Sequence, residues 1–172
     1  HSGFAWVKLD KTGNPSEGLG WSPNLKLYTV IGSIAGRPNS GVFGIEENGT
    51  SLIYKLRCSK TVGGTTSPVL QSLPIPDLNS NWHLISFSFN FALRTVYFYL
   101  DGSFISSEQI VIPTVSINGG TGSATIGYFP RSDQPTPSGQ FKGLMNSVGF
   151  YNKELSADDH EGLYNATKYR FT

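Results

Sequence analysis

"NWHLISFSFNFALRTVYFYLDGSF", residues 81–104, holds two strands and a tight turn in one short stretch. From Ile85 onward apolar residues alternate with serine, Ile85, Phe87 and Phe89 against Ser86 and Ser88, at the period of two that marks a half-buried strand. The second half alternates as well: Val96, Phe98 and Leu100 fall on one side, Thr95, Tyr97 and Tyr99 on the other. Asp101-Gly102 then supplies residues that tolerate positive φ in a two-residue hairpin turn. The pattern predicts that the six apolar side chains face a core, because a slip of one residue would put all of them in water. The opposite side is serine, threonine and tyrosine, which suits either a covering loop or a wall on which an amphipathic ligand lies.

Working outward, the chain has 172 residues, enough for one domain with a proper core. It is 38% hydrophobic and 15% charged, with 20 glycines and 10 prolines, a turn-rich β composition. The formal net charge is +1 and the basic residues are scattered, so no stripe for nucleic acid is expected. No apolar run approaches the roughly 20 residues that span a bilayer, and the start carries no signal-peptide pattern. No membrane insertion is expected. Cys58 is the single cysteine, so no internal disulfide can form, and it reads as a passive strand residue. Asn48-Gly49-Thr50 and Asn165-Ala166-Thr167 are glycosylation tripeptides that matter only in a eukaryotic secretory route.

Strands are predicted at 3–9, 25–35, 41–47, 50–57, in the opening hairpin, and at 103–112, 122–129 and 141–151, separated by Gly, Pro and Asn clusters. Many short strands at this spacing argue for a sandwich. One helix is predicted, over 156–166, with Ser156 as N-cap and Asp159 three residues on.

The order "FAWVKL", "WHLISFSF", "VYFYLDG", "ATIGYF" and "FKGLMNSVGFYNKELSADDHEGLY" resembles the laminin-G-like branch of the concanavalin A-like lectin and glucanase superfamily. The resemblance implies an all-β jelly roll, a sandwich of two antiparallel sheets with one short helix near the C-terminus, filling residues 1–172 as a single domain of a larger protein. It also implies a strand ahead of the one at 3–9. Since the chain opens at His1, either that strand belongs to the larger protein or 167–172 ("TKYRFT") supplies the edge. Members of the family include lectins, carbohydrate-binding modules, adhesion domains and glycoside hydrolases, so fold leaves function open.

A retaining glycosidase needs two carboxyl groups about 5 Å apart, which the glucanases of this superfamily place on one face of a strand. No strand here carries acids at that alternation. Glu46 and Glu47 are adjacent and point to opposite faces, Asp101 is a turn residue, and Asp158, Asp159 and Glu161 read as a solvated first helical turn that complements the dipole. His83 matches a structural position beside Trp82, and His160 is expected on an exposed helix face. No catalytic residues are assigned. Calcium, which wants 6 to 8 oxygen ligands, would have only the loops 10–17 and 132–138, and the first lacks a second carboxylate. Ordinary polar turns are favoured there, and no cofactor is assigned.

Sugar binding needs an aromatic platform and planar polar groups. Trp6 and Trp82 are expected in the core, whereas Trp21 lies among turn residues in "EGLGWSPN". Tyr128 leads into a loop with Arg131 and Asp133, whose guanidinium and carboxylate suit hydroxyls. Arg37 and Asn39 form a second polar loop. With Tyr97 and Tyr99 these are the candidate ligand residues. The expectation is a non-catalytic carbohydrate-binding module, extracellular or at the cell surface, with a glycan or glycoprotein partner. A protein-interaction, adhesion or structural accessory role is the alternative, and a glycoside hydrolase the least favoured.

Overall fold

The structure is a computed structural model and describes residues 1–10, 25–33, 41–48, 53–60, 69–76, 78, 81–109, 124–127 and 140–171. The fold is all-β, of the antiparallel two-sheet sandwich class expected, with one α-helix among the described residues. The chain divides into two compact units: His1–Lys11 with Pro76–Ile110 and Gly143–Thr172, and Thr12–Ile75 with Val111–Lys142.

The first unit carries strands β1 (Ser2–Leu9), β6 (His83–Asn90), β7 (Thr95–Leu100), β8 (Ser103–Gln109) and β10 (Gly143–Tyr151) in the order β10-β1-β6-β7-β8. The hairpin register is as the alternation predicts: Ile85 pairs with Leu100, Phe87 with Phe98 and Phe89 with Val96. Ile85, Val96 and Phe98 are buried; Phe87, Phe89 and Leu100 are half-buried. Asp101 (φ 51°) and Gly102 (φ 79°) make the two-residue turn, both in the left-handed region that such turns require. The Asp101 carboxylate binds back to β6, accepting from the Leu84 amide at 2.9 Å and lying 2.8 Å from His83 Nδ1.

Helix α1 (Ala157–Thr167) begins as expected. The Ser156 hydroxyl accepts from the Asp159 amide at 3.1 Å while the Asp159 carboxylate accepts from the Ser156 amide at 2.8 Å, a reciprocal capping box. The chain then continues in a short 3-10 turn, Lys168–Arg170, so the described part of that segment, 167–171, does not supply an edge strand. The edge beside β1 is taken by β10 instead. Threonine at 167 has a helical duty: its hydroxyl donates to Leu163 O at 2.6 Å and accepts the Trp6 indole N–H at 2.9 Å.

Trp6 is buried as expected, stacked on Phe171 at 4.3 Å and on Tyr164 at 5.7 Å. Trp82, expected in the core, is only half-buried and meets Phe171 at 5.0 Å. Both rings gather around the C-terminal segment that follows α1.

The second unit carries β2 (Leu25–Ser33), β3 (Gly41–Asn48), β4 (Ile53–Lys60), β5 (Val69–Gln71) and β9 (Ala124–Ile126), ordered β5-β4-β3-β2-β9. Its core includes Tyr28, Val30, Phe43, Ile45, Leu56 and Leu70. β4 runs to Lys60, beyond the expected end at 57, and 50–52 of that expectation lie outside the described residues. β5 was not expected, since its three residues follow a Gly-Thr-Pro-rich link and are too short to show a period. Cys58 pairs with Phe43 and Leu70 in register, as a strand residue.

Candidate functional site

Trp21, Arg37, Asn39, Tyr128, Arg131 and Asp133 lie outside the described residues. The other two candidates, Tyr97 and Tyr99, stand two apart on β7 and so share a face, paired with Ser88 and Ser86 of β6. The structure separates their fates. Tyr97 is half-buried, whereas Tyr99 is 5% exposed, with the His160 imidazole stacked on its ring at 3.9 Å. Burial, reinforced by Glu154 and Tyr97, pushes the Tyr99 phenol pKa up.

His160 was expected on an exposed helical face, but it is fully buried. The reason is chemical fit. Its Nδ1 lies 2.9 Å from Ser86 Oγ and its Nε2 lies 2.8 Å from Ser88 Oγ. Ser88 Oγ also donates to Leu155 O at 2.8 Å, and Ser2 Oγ, 2.8 Å from Ser88 Oγ, accepts the Leu155 amide and donates to Lys153 O. With the Ser88 proton on Leu155 O, Nε2 carries the imidazole hydrogen and Nδ1 accepts from Ser86. The serine side of the hairpin is therefore a satisfied polar seat for α1, which is why serines tolerate burial there. Desolvation lowers the His160 pKa to about 4, against the opposing field of Asp159.

The carboxylates of β3 diverge. Glu46 and Glu47 are both buried on the central strand of their sheet. Glu46 Oε1 accepts from Gln71 Nε2 at 2.6 Å, and Gln71 Oε1 accepts from Lys55 Nζ at 3.3 Å. Glu47 Oε2 accepts the Tyr28 hydroxyl at 2.7 Å. Adjacent strand positions send these two acids to opposite faces, each into its own hydrogen bonds. Among the described residues no group of three or more His, Cys, Asp or Glu is placed to hold a metal ion. Of the two loops weighed for calcium, only Asp10 is described.

An open groove of about 430 Å³ runs between α1 and the β7–β8 turn, with Phe104 of edge strand β8 on one wall and Asp158, Glu161 and Asn165 of α1 on the other. Phe104 is 55% exposed and pairs in register with Tyr99. Gly102 closes one end: a Cβ there would stand 2.9 Å from Tyr164 Cβ and 3.0 Å from Glu161 Cα. These residues were missed as a set. The available signal was the acid-acid-amide spacing at i, i+3 and i+7, but nothing local says which strand that stripe faces.

A sequence profile described as the concanavalin A-like lectin/glucanases superfamily, of laminin-G type, matches residues 4–159. No curated protein matches the chain by sequence. Among solved structures, the CBM40 module of a Ruminococcus gnavus IT-sialidase, bound to α2,3-sialyllactose, superposes with a TM-score of 0.66 at 12% identity, over 95% of this chain and 81% of that one. A heptameric SAP-like pentraxin from Limulus polyphemus gives 0.64 at 11% identity, over 96% and 70%. The NanB sialidase of Streptococcus pneumoniae gives 0.59 at 18% identity, over 94% of this chain but 23% of that one. At such identities the likeness concerns the fold.

Proposed function

The chain belongs to the concanavalin A-like lectin/glucanase superfamily as a laminin-G-like domain, and from that premise we propose that it is a non-catalytic carbohydrate-binding module of an extracellular or cell-surface protein. The observation that carries the reading is the likeness to the R. gnavus carbohydrate-binding module over 95% of this chain and 81% of that one. That module's ligand makes sialylated glycans the first class to assay here.

The non-catalytic part is supported by the acids. Glu46 and Glu47 are committed to Gln71 and Tyr28 on opposite faces of β3, so they do not form a pair flanking a glycosidic bond. In this reading the ligand is held by Trp21, Arg37, Asn39, Tyr128, Arg131 and Asp133, with Tyr97 at the margin. Tyr99 serves as a seat for His160. Residues 1–172 act as one domain linked to others.

Retention of the purified chain on immobilised glycans, reversed by the free sugar, tests the binding half. Prolonged incubation with β-glucans, xylans, galactans and sialosides tests the other half, and release of reducing sugar above a boiled control contradicts it. An adhesion role has one observation in its favour: edge strand β10 presents Leu144, Phe150 and Tyr151 to solvent, which suits a protein partner.

A further inference from the structure

The groove beside α1 has walls made of what a saccharide needs. Phe104 supplies an exposed aromatic ring on a strand, braced by an edge contact with Tyr99 at 5.8 Å and a tilted contact with Tyr97 at 6.5 Å. Across from it, Asp158, Glu161 and Asn165 recur along one side of α1. Carboxylates accept paired hydroxyl protons, and an amide both donates and accepts. Both walls are held in place, the helix by its capping box and by His160, the turn by the Asp101 bonds to β6. Little ordering cost therefore remains for a ligand.

The charge of the groove selects among sugars. Asp101, Asp158 and Glu161 line it, and among the described residues no lysine or arginine does. Lys168, just past α1, bonds Asn165 Oδ1 at 2.9 Å and lies 5.4 Å over the Tyr164 ring. A sugar carboxylate placed here would meet like charges across a short distance, whereas neutral hydroxyls would meet acceptors. We infer that this groove is a second saccharide site, one that takes a neutral pyranose on Phe104 and rejects sialylated sugars. The inference takes its ligand class from the carbohydrate-binding reading, but Phe104, Asp158, Glu161 and Asn165 are not among the ligand residues proposed there, so the two can fail separately.

The experiment is amide-resolved NMR titration of the whole chain, made in a bacterial host that leaves Asn165 unmodified. The probes are lactose, cellobiose, maltose, 3′-sialyllactose and tri-lysine at millimolar concentration. At least one neutral disaccharide is expected to shift the amides of 102–104 and 157–165. Sialyllactose should act there at least about tenfold more weakly. Phe104→Ala, at an exposed position, should abolish those shifts while the rest of the spectrum stays folded. The double variant Asp158→Asn, Glu161→Gln should narrow the discrimination against sialyllactose. Shifts from no neutral disaccharide, shifts that survive Phe104→Ala, or a response to tri-lysine alone would overturn the groove. Shifts confined to the neighbours of Trp21 and Arg131 would overturn the groove and leave the proposed function standing. Absence of any glycan response would remove both.

Discussion

The imidazole of His160 lies flat against the phenol ring of Tyr99, centroids 3.9 Å apart and planes 19° apart. This contact, with the serines that satisfy both ring nitrogens, seats the one α-helix among the described residues on its sheet. It has a pH consequence. His160 is neutral in the fold because burial lowers its pKa from 6.5 to about 4. Below 6.5 the unfolded chain binds a proton that the native chain does not, so stability falls with acid. A loss of about 3 kcal/mol accrues between pH 6.5 and about pH 4, at 1.36 kcal/mol per unit. Asp159, lowered by its hydrogen bonds to Ser156, adds in the same direction at still lower pH. Urea midpoints measured across this range should show the slope, and His160→Gln should flatten it above pH 4.

The two tryptophans of the first unit should separate in stability. Trp6 is 2% exposed, stacked on two rings and bonded to Thr167. Trp6→Ala should cost about 3–5 kcal/mol. Trp82 has more solvent and one described ring partner, Phe171, so Trp82→Ala should cost about 1–3 kcal/mol. Denaturant unfolding of the two variants checks the order.

Glycine substitutions should differ in sign. Gly102→Ala meets both a φ of +79° and the packed helix, so a loss of about 1–3 kcal/mol is expected. Gly162 lies within α1 with nothing within 4 Å of an added Cβ. Gly162→Ala should raise stability by about 0.5–1 kcal/mol. Thermal melts of the pair read this directly.

What the sequence made legible was local. Alternation set the core face of Ile85, Val96 and Phe98, Asp101-Gly102 set the turn, and Ser156 with Asp159 set the helix start. What it hid was contact between distant segments. His160 read as surface because the two serines that bind its ring, Ser86 and Ser88, lie far away in sequence, and Phe104 read as an ordinary strand residue for the same reason. Strand β5 carries too few residues for a period. Tyr97 and Tyr99 came from the alternation of their strand; the other candidate ligand residues came from composition of loops, where an aromatic beside an arginine is visible but the partner loop is not.

The loop candidates carry their own expectation. A sugar desolvated on an indole must gain apolar contact and keep its hydroxyls paired. Trp21→Ala and Arg131→Ala should each weaken glycan binding by about 1–3 kcal/mol and leave the melting temperature nearly unchanged. Calorimetric titration beside a melt separates the two effects. If Trp21→Ala unfolds the domain while binding per folded molecule survives, its ring belongs to the core.

The most direct measurement is a glycan array probed with the purified chain, wild type beside the Trp21→Ala, Arg131→Ala double variant. The account predicts saturable, sugar-competed binding to a defined glycan class by the wild type and its loss in the folded double variant. A wild-type chain that is folded by the same melt yet binds no glycan on the array would contradict it.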